Sequence, residues 1–205
     1  MTERRLVLAT RNDGKIREII ELLSGLPIEI LTYEDYDVWP ELEETGSTFE
    51  ENAEAKASAL SEWSGLPALA DDSGLEVDAL GGRPGVISAR YAGTQGDSAA
   101  NIALLLEEMK GVPIQERSAR FVCVIALTGP NNPTLEIRDT CEGAISEDIR
   151  GDGGFGYDPV FIPMGMDSTM AQLPLEEKNA ISHRGKALRR LRTMLEKGEP
   201  AWFLQ

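Results

Sequence analysis

The feature that most constrains the fold is the alternation of short apolar runs with helical patterns early in the chain. The run RLVLAT at Arg5–Thr10 is rich in β-branched residues and leucine and ends in polar residues, which predicts a strand. Apolar residues then recur at helical spacing, at positions 16, 19, 20 and 23. This order predicts a strand, a tight loop and a helix.

Later runs predict antiparallel pairing in the same sheet. The longest strand candidates are SARFVCVIALTG and TLEIRDTCEGAIS, and the turn PNNP between them indicates a hairpin. We expect two shorter strands at ALADDS and LEVDAL, and one final helix over PLEEKNAISHRGKALRRLRTMLEKG. Strands that alternate with helices, followed by a hairpin, predict an α/β fold with a mixed central sheet flanked by helices.

Composition and charge argue against several classes of protein. The longest apolar runs, such as FVCVIAL, are far shorter than the roughly 18 residues of a membrane helix, and the N-terminus does not resemble a signal peptide. We therefore expect a cytoplasmic protein without membrane contact. A net charge of −15 argues against nucleic acid as a partner. Two cysteines and one histidine make a structural zinc site improbable, and Cys123 is expected to be a buried, reduced thiol.

The basic residues are concentrated near the C-terminus. The stretch Lys178–Arg192 holds six of them together with the only histidine, and it contains no acid. Such a stretch is typical of a solvated helix face, and it is also where a small polyanion would be held.

The loop TRNDGK at Thr10–Lys15 is a candidate phosphate site. It precedes a helix, whose N-terminal N–H groups and dipole favour an anion. The alternative is a plain turn in which Asn12 or Asp13 caps the helix. Lys15 favours the phosphate site slightly, because a lysine in the first helical turn opposes the helix dipole.

Two groups of acids are candidates for a metal site. Glu44 closes the first group, ELEETG, and Asp71 and Asp72 end an apolar run. Carboxylate oxygens suit magnesium, which typically takes only one or two protein carboxylates. Successive side chains of a strand point to opposite faces, so one aspartate is expected to face the site and the other a structural partner. The alternative is that Asp72 begins an ordinary turn through Ser73 and Gly74.

Lys56 lies in the middle of a helix that Ser47 or Thr48 is expected to cap. Its small neighbours would let the helix pack closely and direct the lysine inward. The alternative is a surface lysine paired with Asn52 or Glu51.

The last third of the chain carries candidates for binding a planar base and phosphates. An aromatic ring on the glycine-rich loop GGFGYDP could stack on a nucleobase, although such rings are also often core residues. The stretch EKNAISHR adds a dense set of hydrogen-bond donors, namely Lys178, Ser182, His183 and Arg184.

Five stretches together resemble the signatures of the inosine triphosphate pyrophosphatase family: LATRNDGK, EETGSTFEENAEAKA, ADDSGLEVDALGGRPGVISARYAG, GGFGYDPVF and EEKNAISHRGKAL. They occur in the family's order and span nearly the whole chain. The resemblance implies hydrolysis of ITP, dITP and XTP to the monophosphate and pyrophosphate, with Mg²⁺. It also implies a homodimer, in which residues 1–205 form one domain of two lobes with an active-site cleft between them.

The resemblance further implies roles for individual residues. Glu44 and Asp72 would hold the metal ion, Asp72 would also act as the base, and the neighbouring Asp71 could share that role. Lys56 would lie near the triphosphate as a second catalytic residue. The implied substrate contacts are Thr10, Arg11, Asn12, Asp13, Gly14, Lys15, Ser73, Phe155, Gly156, Tyr157, Asp158, Lys178, His183 and Arg184. Arg11 stands where some relatives carry glycine.

Selectivity would follow from the 6-position of the purine. Hypoxanthine and xanthine have a carbonyl oxygen there, which can accept from His183 or Arg184, whereas the amino group of adenine would leave those donors unpaired. Two other functions remain open from the sequence. One is the same chemistry on modified pyrimidine or methylated nucleotides, and the other is a nucleotide-binding sensor without activity.

Overall fold

The sheet is six-stranded and mixed. The computed structural model describes residues 4–204. Its strands, in chain order β1 to β6, are Arg4–Leu8, Ile28–Leu31, Ala68–Val77, Ser118–Thr128, Leu135–Ile145 and Phe161–Pro163. Their order in the sheet is β2-β1-β3-β4-β5-β6. Strand β1 pairs in parallel with β2 and β3, whereas β5 and β6 are antiparallel. The predicted α/β class with a mixed sheet is confirmed.

Five α-helices accompany the strands within the described residues. Helices α1 to α5 are Asp13–Leu23, Phe49–Ser64, Ser98–Glu108, Leu175–Ile181 and His183–Glu196. The start of α2 follows the predicted capping pattern. The Thr48 side chain accepts from the N–H of Glu51 at 3.1 Å, and the Glu51 carboxylate accepts from the N–H of Ser47 at 2.6 Å. These two bonds fix the first turn of the helix that carries Lys56.

The chain divides into two compact units. Unit 1 holds residues 4–72, 123–138 and 184–204 of the described chain, and unit 2 holds residues 73–122 and 139–183. The division falls inside β3, between Asp72 and Ser73. The predicted site residues are therefore distributed over both units.

Unit 1 has its own apolar core. Leu6 and Leu8 of β1 pack with Ile19 of α1 and Leu188 of α5, and all four are fully buried. Burial of one such side chain contributes about 1.5–3 kcal/mol relative to an exposed one. The C-terminal aromatic Phe203 joins this core and is 4% exposed, so the end of the described chain packs on unit 1.

Unit 2 has a second core around α3. Leu105 of that helix and Leu75 of β3 are fully buried and pack with Val160 and Phe161. Tyr157, from the glycine-rich loop that leads into β6, belongs to the same core.

Two predicted elements differ from the structure. Residues 68–77 form one continuous strand rather than two, and the proposed turn at Asp72–Gly74 is absent. Strand β3 has a neighbouring strand on both sides, β1 and β4, and such pairing keeps its backbone extended. The final helix is divided at Ser182, whose extended backbone (ψ 155°) ends α4 before α5 begins.

Cys123 and Cys141 are free and buried, as predicted for Cys123. Between residues 4 and 204, no helix combines the length and the apolar character needed to span a membrane.

Candidate functional site

The loop between β1 and α1 carries the predicted phosphate residues. Asn12 caps α1, because its side-chain oxygen accepts from the N–H of Lys15 at 3.0 Å. The capping alternative is therefore correct for Asn12. The helix N-terminus and its dipole remain features that favour an anion. The other residues of the loop are half-buried or exposed: Thr10, Arg11, Asp13 and Gly14.

Lys15 reaches from the start of α1 to β3. Its ammonium nitrogen lies 2.6 Å from Asp71 Oδ1 and donates to the backbone oxygen of Asp71 at 3.1 Å. The Lys15 side chain is 15% exposed, while the Asp71 carboxylate is fully buried. The Lys15 side chain is therefore partly accessible to a ligand, although its ammonium group is ion-paired with Asp71 of β3.

Asp71 is surrounded by donors. The Nε of Arg184 lies 2.7 Å from Asp71 Oδ2, and the Cys123 thiol donates to the same oxygen at 3.2 Å. Arg184 also pairs with Glu18 at 2.7 Å, and both side chains are almost completely buried. Burial alone raises the pKa of Asp71, but the charges of Arg184 and Lys15 outweigh it and hold that pKa well below its usual range. Asp71 is therefore stabilised in its charged form, and its contacts are structural.

Asp72, the next residue, has different surroundings. Its Oδ1 lies 2.6 Å from the ammonium of Lys56, which also contacts Glu44 Oε1 at 2.8 Å. Lys56 is 5% exposed, so it is directed inward and is not the surface lysine of the alternative. Burial raises the pKa of Asp72, and the charges of Lys56 and Lys15 only partly offset that effect.

The two neighbouring aspartates thus have opposite pKa shifts. Adjacent side chains of a strand point to opposite faces, so Asp71 meets Arg184 while Asp72 meets Lys56 and Glu44. Pairs of neighbouring titratable groups whose surroundings shift their pKa values in opposite directions are typical of acid–base sites. Of the two, Asp72 is the one with a raised pKa and is therefore the candidate proton acceptor. We call the ion-paired residues around the two aspartates the charged cluster: Lys15, Glu18, Glu44, Lys56, Asp71, Asp72 and Arg184.

Unit 2 holds a second group of predicted residues, the loop cluster, which consists of Phe155, Asp158 and Lys178. Asp158 Oδ2 accepts from the ammonium of Lys178 at 2.6 Å and from the N–H of Phe155 at 2.8 Å. The Lys178 nitrogen lies 4.5 Å from the centre of the Phe155 ring, a cation–π contact. Gly154 permits this packing, because a Cβ there would collide with the Asp158 carboxylate. Phe155 itself is half-buried, so its ring is supported and still partly accessible.

The remaining predicted residues of unit 2 are placed in different ways. Tyr157 is a core residue, 4% exposed, and its hydroxyl donates to the backbone oxygen of Ser88 at 2.9 Å. The His183 ring stacks on Phe121 with centroids 4.8 Å apart and an interplanar angle of 14°. Gly156 adopts a positive φ of 60°, and Ser73 is half-buried in β3.

Comparison with known proteins assigns the chain to a family. A family model described as the Ham1 family matches residues 6–194. The chain belongs to the Ham1 family. It is 54% identical over 191 residues to a dITP/XTP pyrophosphatase of Geobacter sulfurreducens, which covers 93% of this chain and 96% of the relative. A similar protein of the same name from Geobacillus kaustophilus is 53% identical over 188 residues, covering 92% of each chain.

Solved structures agree with this membership. A Ham1 protein from Coxiella burnetii superposes with a TM-score of 0.86 at 46% identity, covering 95% of this chain and 99% of that one. A Ham1 protein from Staphylococcus aureus gives a TM-score of 0.85 at 41% identity, covering 96% of this chain and 100% of that one. The family resemblance inferred from the five sequence stretches is confirmed.

Sequence reasoning missed Asn52 as part of the charged surroundings of Asp72. In this Ham1 chain Asn52 is 1% exposed, donates to Asp72 Oδ2 at 3.3 Å and accepts from the N–H of Gly46 at 2.8 Å. A Cβ on Gly46 would lie 2.7–2.8 Å from atoms of Glu51 and Asn52, so glycine permits the close approach. Asn52 precedes Lys56 by one helical turn, so the sequence spacing alone indicates that both side chains lie on the same face of α2.

Glu18 was also missed. It lies in α1 three residues after Lys15 and is 2% exposed. Its buried charge is compensated by the ion pair with Arg184. A glutamate beside the apolar residues Ile16 and Ile19 of a helix was the available signal, since a buried acid requires a cationic partner.

The carboxylates of Glu44 and Asp72 are groups that could hold a magnesium ion. Glu44 and Asp72 both place a carboxylate oxygen within 2.8 Å of one nitrogen, that of Lys56. Among the residues that the structure describes, no group of three or more His, Cys, Asp or Glu side chains could hold a metal. Two carboxylates suffice for magnesium, whose other positions are usually filled by water and substrate phosphates.

Proposed function

We propose that this chain hydrolyses noncanonical purine nucleoside triphosphates, namely ITP, dITP and XTP, to the monophosphate and pyrophosphate. The relatives named dITP/XTP pyrophosphatase, about half identical over nearly the whole chain, support this activity. The observation that carries it is the pair Glu44 and Asp72, which share the buried ammonium of Lys56. Such hydrolysis prevents incorporation of the altered nucleotides into DNA and RNA.

Unit 1 would bind the metal ion and the triphosphate. Glu44 and Asp72 would hold Mg²⁺, which offsets the negative charge of the phosphate oxygens when it is bound. The loop from Thr10 to Lys15 would bind phosphate at the N-terminus of α1. Lys15 and Lys56 would help to neutralise the pyrophosphate as it leaves, since both ammonium groups lie next to the aspartates of β3.

Asp72 would accept the proton of the attacking water. The oxygen of that water forms the new bond to the α-phosphorus, the bond to the pyrophosphate oxygen breaks, and the proton passes to the Asp72 carboxylate. The raised pKa of Asp72 makes it a better acceptor than an ordinary aspartate. Asp71 is unsuited to this role, because Arg184 and Lys15 stabilise its charged form. Arg184 would thus act by holding Asp71 rather than by contacting the purine.

Unit 2 would bind the base. The half-buried ring of Phe155, supported by Lys178, offers a stacking surface, while Gly156, Tyr157 and Asp158 form its surroundings. Lys178 and His183 would donate toward the 6-oxo group of hypoxanthine or xanthine, which adenine lacks. Ser73, at the start of unit 2, would contribute a further substrate contact.

We also propose that the protein is a cytoplasmic homodimer. The family resemblance supports the dimer, and size-exclusion chromatography with light scattering tests it. A mass of one chain, 22.4 kDa, would contradict the dimer.

The activity is tested by pyrophosphate release from ITP, dITP, XTP, GTP and ATP, with Mg²⁺ and with EDTA. We expect release from the first three only, and loss of release with EDTA. His183→Ala should lower kcat/KM for ITP far more than for ATP. Equal losses would contradict carbonyl recognition by His183.

Two outcomes would redirect the proposal. Binding of ITP without pyrophosphate release would favour a sensor. Release confined to modified pyrimidine or methylated nucleotides, added to the same panel, would retain the chemistry and change the substrate.

A further inference from the structure

Four aromatic side chains of unit 1 form a group that no step of the proposed reaction uses. This aromatic cluster consists of Tyr33, Tyr36, Trp39 and Trp63. Their ring centroids lie 5.1–6.5 Å apart in edge or tilted geometry, and Trp39 contacts all three of the others. Trp63 is nevertheless 43% exposed. Aromatic pairs at these separations attract each other beyond the area that they bury.

The aromatic cluster lies at one end of the segment that carries Glu44. Residues 36–46 form neither helix nor strand, so no ladder of backbone hydrogen bonds fixes their conformation. Trp39 precedes Glu44 by five residues, and Trp63 belongs to the last turn of α2, the helix that also carries Lys56. The cluster therefore joins the segment to the C-terminal end of α2.

The other end of the segment is attached to the first half of α2. Gly46 donates to Asn52, and Glu44 pairs with Lys56. The aromatic cluster also contacts the first loop, because the Tyr33 hydroxyl donates to Asp13 Oδ1 at 3.2 Å. Glu44 thus lies between two uncharged attachments of the segment to α2, the aromatic contacts with Trp63 and the hydrogen bond from Gly46 to Asn52.

We propose that the aromatic cluster positions Glu44, keeping its carboxylate beside Asp72 so that a divalent cation can bind. This proposal rests on the proposed function, in which Glu44 and Asp72 hold Mg²⁺. Without the cluster, the part of the segment before Glu44 would lose its contact with α2, and metal binding would have to order more of the chain, which lowers the apparent affinity. Trp39 and its neighbours are positioning residues in this account, since they act through Glu44.

The first test compares Trp39→Ala with two matched variants. Trp39→Phe keeps an aromatic ring, and Val38→Ala changes a neighbouring side chain that is 70% exposed. We expect Trp39→Ala to raise the Mg²⁺ concentration at half-maximal activity about tenfold, the size of one strong aromatic contact. Saturating Mg²⁺ should restore kcat, Trp39→Phe should recover most of the affinity, and Val38→Ala should resemble the wild type. An unchanged Mg²⁺ requirement in Trp39→Ala would overturn the proposal, even if its melting temperature fell.

The second test does not depend on turnover. The chain has three tryptophans, so in a Trp202→Phe background the tryptophan fluorescence comes only from Trp39 and Trp63 of the aromatic cluster. We expect their fluorescence to change on titration with Mg²⁺ and inorganic pyrophosphate, and the change to disappear in Glu44→Gln. No change at saturation, or the same change in Glu44→Gln, would count against the proposal. If the wild type releases pyrophosphate from no substrate, the activity is wrong, while this titration still decides whether the cluster and Glu44 are coupled.

Discussion

The charged cluster of unit 1 and the loop cluster of unit 2 are built from different kinds of contact. The ion pairs of the charged cluster join four carboxylates to three cations, leaving an excess of negative charge that a divalent cation would reverse. The loop cluster of unit 2 instead has one balanced ion pair, Lys178 with Asp158, beside the aromatic ring of Phe155. The first arrangement suits phosphate chemistry, and the second suits recognition of an uncharged planar base. Substitutions in the charged cluster should therefore change kcat or stability, and those in the loop cluster should change binding.

The largest effect on catalysis is expected for Asp72→Asn. The amide keeps the shape of the side chain but accepts a proton poorly, so kcat for ITP should fall about 10²–10⁴-fold. Stability should fall less than in Asp71→Asn, because burial already disfavours the charged form of Asp72, as its raised pKa indicates. Steady-state kinetics and thermal unfolding check both points. A kcat within tenfold of wild type would remove Asp72 from the base role.

The largest effect on stability is expected for Asp71→Asn. The substitution leaves Arg184 buried with one carboxylate fewer, which costs about 3–5 kcal/mol of unfolding free energy. Because the folded pKa of Asp71 is depressed, its stabilisation is present above the unfolded value of about 3.9 and is lost as the pH falls through the folded value. Urea unfolding at several pH values should show the two proteins converging in acid. A constant difference down to pH 2 would contradict this account.

In unit 2, Phe155→Leu should weaken binding rather than chemistry. Loss of the stacking surface should raise KM for ITP about tenfold and leave kcat nearly unchanged, since stacking on an aromatic ring contributes about 1–3 kcal/mol per base. Initial rates over a range of ITP concentrations measure the split. A fall in kcat at unchanged KM would erase the distinction between the two clusters.

The pH dependence of kcat/KM offers a finer test within unit 1. The ammonium of Lys56 lowers the pKa of Asp72, so Lys56→Met should raise that pKa further and move the acidic limb of the profile to higher pH. Lys56→Arg keeps the charge and is the control. A limb that stays in place or moves to lower pH would mean that another group sets it.

The smallest effect is expected for Tyr157→Phe. This change removes the hydrogen bond to the backbone oxygen of Ser88 within the unit 2 core, which costs about 1 kcal/mol of unfolding free energy. Activity at saturating substrate should be retained. A large loss of kcat with normal stability would indicate that the hydroxyl contacts the substrate.

The sequence predicted much of the fold because its signals are local. The apolar periodicity after Arg5–Thr10 and the capping residues Ser47 and Thr48 depend only on neighbours in the chain, and the structure has helices at both places. The continuous β3 was not predictable in the same way. Its local residues Ser73 and Gly74 favour a turn, and pairing with neighbouring strands overrides that preference.

The sequence also determined which residue types are available for chemistry, and the alternation of side chains along a strand required that Asp71 and Asp72 differ. Only the tertiary structure decided which aspartate received which surroundings, because Arg184 lies 113 positions from Asp71 and Lys56 lies 16 positions from Asp72. A pKa depends on burial and on the charges within a few ångströms, whatever their separation along the chain. For the same reason, the contacts of Asn52 with Asp72 and of Glu18 with Arg184 were recognised only from the tertiary structure.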